Sequence, residues 1–401
     1  MNRSGRRITQ SNLYDNRFLA AIILLLFIRP TYIKETGFWF FFRAGMVLAA
    51  VLVLALFVSE HGTKYKAGSL LICSFFAIIV FSTIYNGGNL VACLETEGIM
   101  LAACLFFDLW LQKSPETLLK SSFVFDLVIY INLATLFLYP NGMYASKNYR
   151  SNWFLGFNNT FIRVIIPGIC MSLLYSYKMY GKMTIRTKLL ILASFITVFK
   201  VRSATSILGL AFFCLLFFLV SKFDYKRILR FINLYTGTAA LIVVAILIVL
   251  QNKIHIFSFL IETVLHKDLS MTGRTAIWSR SLECFLEHPI IGYGYLQDVD
   301  YQVMLNYRLA THPHNFWLYQ LITGGCVLLA DLILIIRKSA QKLKSSHTIY
   351  SKIIMCGLLS FFLMGISESL VSTNVFWPMF VLAMNVDAFE DHPKVQTAGQ
   401  M

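Results

Sequence analysis

The chain has 401 residues, 57% of them hydrophobic and 14% charged, with a formal net charge of +15. A soluble globule of this composition could not cover its surface with polar side chains, so a soluble fold is excluded. Lys and Arg stand in short clusters between apolar runs rather than along one face, which excludes a nucleic-acid partner and fits juxtamembrane anchors in a lipid bilayer.

The N-terminal stretch MNRSGRRITQ is basic. The apolar run behind it has no small-residue cleavage site and is followed by further runs, so it reads as a retained first span. At roughly 20 apolar residues per span, the sequence predicts about twelve. They cover 18–33, 38–58, 67–85, 90–111, 122–139, 160–177, 187–200, 204–220, 231–250, 315–336, 353–368 and 374–388. With the N-terminus inside, alternate connections hold 22 of the 35 Lys and Arg, the bias expected of cytoplasmic loops. Both termini are therefore expected in the cytoplasm. The expected fold is all-α and polytopic. Residues 1–250 form an N-terminal bundle of about nine spans, 251–313 a large outer loop, and 314–401 the last spans with a cytoplasmic tail.

Eight cysteines lie mostly inside apolar runs without a CxxC pair. They support neither a disulfide framework nor a zinc site and read as small core residues.

Loops as long as 251–313 are usually functional or disordered. This one carries amphipathic stretches such as HIFSFLIETVLH (255–266), a composition unlike that of disorder. Further along, TGRTAIWSRSLECFLEHPIIGYGY (272–295) predicts a helix capped by Thr272, with Trp278, Leu282 and Phe285 on one face. Pro289 should end it. Gly292 and Gly294 then provide a sharp turn or a close approach. Arg274 and Arg280 are six residues apart, about 600° of helical rotation, and should not share a role. Such a helix could equally lie flat at the interface with snorkelling arginines.

The stretch THPHNFWLYQLITGG (311–325) heads the tenth span. Pro313 suits a first helical turn, which would put His314 and Asn315 beside free backbone N–H groups, a natural anion site. The helix dipole would hold His314 neutral and able to accept a proton. The rival reading is a histidine that only marks the membrane interface. His312 lies too close in sequence to share one metal ion with His314. Arg163, about one turn inside the sixth span, is costly there unless paired or wet. Arg150, Lys200 and Arg202 stand in the flanking outer connections, and several such cations could hold a phosphate or pyrophosphate through bidentate contacts. Snorkelling to anionic head groups is the alternative for each. The DVD at 298–300 resembles the Asp-x-Asp of metal-dependent glycosyl transferases, a pattern that also arises by chance. Glu95 and Glu97, near an outer end, could relay protons or pair with an arginine.

GRTAIWSRSLECFLEHPIIGYGY followed by HPHNFWLYQLITGGCVLLADLIL resembles the O-antigen ligase and polymerase superfamily of bacterial envelope glycosyltransferases. These segments match its Arg, Trp and Pro-x-x-Gly-x-Gly loop pattern and its His-Asn helix start. FLGFNNTFIRVIIPG and VRSATSILGL add weaker likeness. The resemblance implies a GT-C-like membrane enzyme of the bacterial inner membrane. It also implies metal-independent transfer, without a cofactor, from an undecaprenyl-pyrophosphate-linked oligosaccharide. Flippase and chain-length regulator proteins are its implied partners. Carried over, Arg274 and Arg202 hold the pyrophosphate and His314 assists the acceptor hydroxyl. Substrate-binding candidates are Arg150, Arg163, Arg280, Trp278, Gly292, Gly294, His312 and Asn315.

The sequence departs from the family at two places. Ala204 follows Ser203 where the family has arginine, with Arg202 two residues earlier. Ile291 stands where the Arg-x10-Gly spacing of polymerases would put glycine after Arg280. Polymerisation of lipid-linked repeat units into capsule, exopolysaccharide or O-antigen is the expected activity, and ligation to another acceptor is its alternative. A flippase is the rival from another class, disfavoured because the one late loop breaks the symmetry of two transporter halves.

Overall fold

The computed structural model describes residues 13–61, 66–146, 149–222, 233–249, 274–307, 310–369 and 374–390. Within them the chain is helical. The helices are α1 (Arg17–Ile28), α2 (Trp39–His61), α3 (Ala67–Tyr85), α4 (Leu90–Lys113), α5 (Pro115–Ser121), α6 (Phe123–Leu138), α7 (Ile162–Tyr180), α8 (Ile185–Lys200), α9 (Ala204–Lys222), α10 (Leu234–Val249), α11 (Arg274–Glu287), α12 (Asp298–Met304), α13 (Phe316–Ser346), α14 (Ile349–Met364) and α15 (Pro378–Met384). No β-strand occurs among the described residues, only two isolated bridges, Tyr144 with Asn152 and Trp153 with Gly156.

A helix stands at each of the twelve predicted spans, but their lengths differ. Among the described residues seven segments are long and apolar enough to cross a membrane, with α5 and α6 forming one of them. The apolar helices α1, α10 and α14 are shorter, α8 has 16 residues and α15 only seven. The long segments make this a membrane protein. The predicted helical stretch 255–266 and the predicted cap Thr272 lie outside the described residues.

The core centres on α13, α14 and α15, where Phe316, Phe361, Phe376, Trp377 and Phe380 pack edge-on or tilted with centroids 4.6–6.3 Å apart. Against this group pack α3 and α4 on one side and α7, α9 and α10 on the other. Phe75 of α3 reaches Trp377 at 4.4 Å. Aromatic pairs of this geometry add about 0.5–1.5 kcal/mol each beyond their area burial.

The connections sort to two ends of the bundle. At one end Lys66 donates to Asn385, Lys342 pairs with Asp387 and Lys178 donates to the Phe389 carbonyl. At the other meet the segments after α1, α3, α6, α8, α11 and α14. This grouping agrees with the alternation drawn from the sequence. All eight cysteines are free.

One junction fixes the second end. Gly325 breaks α13 with φ 61° and ψ −157°, which releases backbone groups that a continuous helix would pair internally. The segment after α11 takes them up: Cys326 N–H donates to Pro289 O, Val327 N–H to Ile290 O, Tyr293 N–H to Ile322 O and Gly294 N–H to Thr323 O. Ser82 and Asn86 of the α3 end donate to Ile291 O and Gly292 O. A Cβ on Gly292 would lie 2.5 Å from Ile322 O, and one on Gly294 2.4 Å from the Thr83 Cα. The close approach read from these two glycines is therefore that of protein backbone, and the substrate-binding place expected for them is taken by α13 and α3.

Candidate active site

Helix α13 begins later than expected. Asn315 is its N-cap, with Oδ1 accepting from Trp317 N–H and Leu318 N–H at 3.0 Å each. Phe316 N–H donates to Gly365 O, and Tyr319 N–H to Asn315 O. Pro313 and His314 precede the helix, and its first amides are all used internally. The anion site expected at this helix start is thus closed, because an asparagine cap fills it where a bound anion would sit.

The same Asn315 donates through Nδ2 to Ile366 O at 3.0 Å. That bond holds the α14 exit beside the α13 start and presents Glu368, buried at 4% exposure. Glu368 Oε1 accepts from Arg274 Nη2 at 3.1 Å and from Asn159 Nδ2 at 3.0 Å. Asn159 Oδ1 in turn accepts from Ser203 Oγ at 2.7 Å, and the Ser206 hydroxyl lies 2.7 Å from the same Ser203 oxygen. Four separated segments are joined by this chain of bonds. Such a carboxylate and guanidinium, 6% and 21% exposed, form a pair whose rupture leaves a buried charge uncompensated.

Arg163 stands in the first turn of α7, nearer the helix start than the sequence suggested. It lies within electrostatic reach of Glu368 and of Tyr149, whose ring stacks on Phe157 at 3.8 Å.

His314 has φ +51°, a left-handed conformation uncommon for a residue with a Cβ. Its N–H donates to Nδ1 of His312 at 3.1 Å, and the two rings lie 4.0 Å apart. An Nδ1 that accepts belongs to a neutral imidazole with its proton on Nε2. Burial pushes His314 down to about 4, helped by the charges of Arg274 and Arg163. Burial likewise holds His312 well below the ordinary histidine value, with His314, Arg163 and Arg274 adding to it. His314 Nδ1 is buried with no hydrogen-bond partner among the described residues. The ring is therefore neutral near pH 7, held by burial and two guanidiniums more than by the helix dipole. Strain retained at a residue so placed points to a role in the site.

The structure thus brings together Arg274, His314, His312, Arg163 and Asn315, and adds Glu368, Asn159 and Ser203, which sequence reasoning left out. The remaining candidates fall elsewhere. Trp278 is fully buried in a small core with Ile277, Tyr301, Leu305, Leu318 and Ile322, so it packs rather than faces a ligand. Arg280 turns the other way, as its spacing required, pairing with Glu283 and donating to Met304 O. Arg202 is exposed with φ +52°, one residue before Ser203, and Arg150 is exposed on its loop. Lys200 lies over the Phe137 ring. Asp300 of DVD accepts from Gln297 N–H in a capping box at the start of α12. Glu95 pairs with Arg43 and Glu97 is buried within α4.

Beside Asn315 an apolar groove of about 310 Å³ runs between α10 and α13, lined by Ile242, Ile246, Leu318, Leu321 and Leu329 among others. Asn315, the residue after His314, is part of its lining.

In this helical bundle guanidiniums and a neutral imidazole converge at one end, the kinds of group that can hold an anion and accept a proton. Residues 189–333 match the family model described as O-antigen ligase, and this supports the O-antigen ligase and polymerase superfamily of membrane glycosyltransferase-like enzymes. The matched segment holds Ser203, Arg274, His312 and His314, while Asn159, Arg163 and Glu368 come from outside it. No curated protein matches the chain.

Proposed function

We propose that the protein is a polymerase that joins undecaprenyl-pyrophosphate-linked oligosaccharide repeat units into a surface polysaccharide. The reaction runs on the outer face of the bacterial cytoplasmic membrane, with both termini in the cytoplasm. One observation carries the reading: Arg274 and Arg163 lie close enough to His314 to depress its proton affinity. A leaving diphosphate and an attacking hydroxyl need those two kinds of group side by side.

In the proposed step the acceptor hydroxyl oxygen attacks the anomeric carbon of the donor. The bond from that carbon to the pyrophosphate oxygen breaks, and the pyrophosphate leaves with the electron pair, stabilised by the guanidiniums. The hydroxyl proton passes to His314. A bound diphosphate offsets the arginine charges and so raises the basicity of His314 when a base is needed. Glu368 and Asn159 position Arg274. The groove between α10 and α13 suits the polyprenyl chain, since its lining is apolar and includes Asn315, the neighbour of His314.

Ligation of a finished glycan to another lipid acceptor is the second reading, favoured by the description of the matched family. Arg274→Ala and His314→Ala in a strain lacking the gene separate the two when surface glycans are run on a gel. Loss of a polymerase leaves single attached repeat units, whereas loss of a ligase leaves long chains on the carrier lipid. Normal insertion with wild-type chains from both variants would refute the site.

A further inference from the structure

A second polar chamber shares Arg163 with the cluster around His314. It has a volume of about 220 Å³ and is lined by Ile28, Arg29, Thr31, Lys34, Leu155, Thr160, Arg163, Val164 and Asn374. Three of these are cations and none is an acid. Ordinary ligand sites span roughly 300–1,000 Å³, so this one takes a single small group rather than an oligosaccharide.

Arg29 is the unusual member. It caps α1 with φ +50°, a left-handed residue directly before Pro30, a position that restricts the preceding backbone further. Partly buried, its guanidinium makes no hydrogen bond or ion pair among the described residues, and Glu95 and Tyr295 are within its electrostatic reach. Lys34 stands at the rim, over the Trp39 ring at 5.8 Å. Glu95, Glu35 and Asp298 are within electrostatic reach of Lys34 but do not line the chamber.

Neutral groups complete it. Thr31 donates its hydroxyl proton to Leu155 O and Thr160 shares its own between Phe157 O and Leu155 O, which leaves their oxygens as acceptors. Asn374 donates through Nδ2 to Phe27 O, so its Oδ1 can also accept. Acceptors for hydroxyl protons beside cations for an oxyanion match one sugar ring bearing an acid group.

We propose that this chamber binds an acidic sugar unit of the glycan substrate, a hexuronate or a sugar of like charge, through Arg29, Lys34 and Arg163. The proposal rests on the transferase reading above and names the substrate class: an anionic rather than a neutral polysaccharide. The donor diphosphate is the other source of a compact oxyanion, and the test separates the two.

Full-length protein in phosphatidylcholine nanodiscs is titrated by calorimetry with glucuronate, glucose and inorganic pyrophosphate. Wild type is expected to bind glucuronate saturably and at least tenfold more tightly than glucose. Arg29→Gln and Lys34→Gln should each weaken glucuronate at least tenfold, while His314→Ala binds it as wild type does. Lys34 sits at the exposed rim, so its variant reports even where Arg29→Gln does not fold. Glucuronate binding no tighter than glucose overturns the proposal, as does its survival in a folded Lys34→Gln. Loss of pyrophosphate binding in these variants, with glucuronate never bound, makes the chamber a diphosphate seat and also overturns it. Binding is read without turnover, so wild-type glycan made by His314→Ala would sink the transferase reading independently.

Discussion

Arg274→Met tests the central geometry, with His314 as the reporter. Burial and two guanidiniums take His314 from 6.5 to about 4, a differential of about 3.4 kcal/mol between its protonation states. Burial is the largest cause and Arg274 the first of the two charges, so removing Arg274 returns less than half of this. The expected result is a midpoint moved from about pH 4 to about pH 5. Site-resolved carbethoxylation with diethyl pyrocarbonate, quantified by mass spectrometry from pH 3.5 to 8, reads it, because only neutral imidazole reacts. An unchanged midpoint in a folded variant would place the two side chains too far apart to serve one diphosphate. Linkage gives a second reading of the same group. Its folded value lies below the unfolded 6.5, so its presence costs no stability near neutrality. Stability is lost as pH falls from about 6.5 to about 4, reaching about 3 kcal/mol below that range. His314→Gln should flatten that part of the curve.

Glu368→Gln keeps the acceptor for Asn159 but leaves Arg274 uncompensated. It should cost up to about 3 kcal/mol in denaturant unfolding, the lower end for a broken buried pair because Arg274 is partly exposed. Asn315→Asp retains the α13 cap and loses the donor to Ile366 O. A fall in transfer rate larger than the roughly 1–3 kcal/mol stability cost of an unsatisfied carbonyl shows that this bond positions the site. Gly292→Ala places a Cβ against backbone at φ +70°, and expression or thermal stability should collapse. Wild-type stability there would disprove the junction. Trp278→Ala should cost about 3–5 kcal/mol of stability, whereas Trp278→Phe, if folded, should keep its transfer rate. A selective loss of rate in Trp278→Phe would return that residue to the substrate.

Much of this protein was legible in one dimension because hydropathy acts locally. A run of apolar residues must be helical in lipid whatever its neighbours do, so all twelve helix positions could be drawn, and the Lys and Arg bias sorted their connections into two groups. Arg274, Arg163 and His314 stood out for local reasons: a charge beside a tryptophan helix, a charge at a span end, and an imidazole ahead of a span. Span lengths were less legible, since α1 and α14 are shielded by packing that no hydropathy window contains.

The tertiary structure alone decided what those residues do together. Glu368 lies 94 residues from Arg274 and 209 from Asn159, and nothing in ISESL distinguishes that acid from others at span ends. Gly292 and Gly294 announced a close approach without naming the approaching partner, and the broken turn of α13 supplied it. A proline and two histidines ahead of a helix suggested open amides, but Asn315 closes them because its side chain is nearer than any ligand. Local sequence fixes where a helix can exist, through desolvation of its own backbone. Which charges meet depends on distances between segments far apart in the chain, and those are set by how the helices pack.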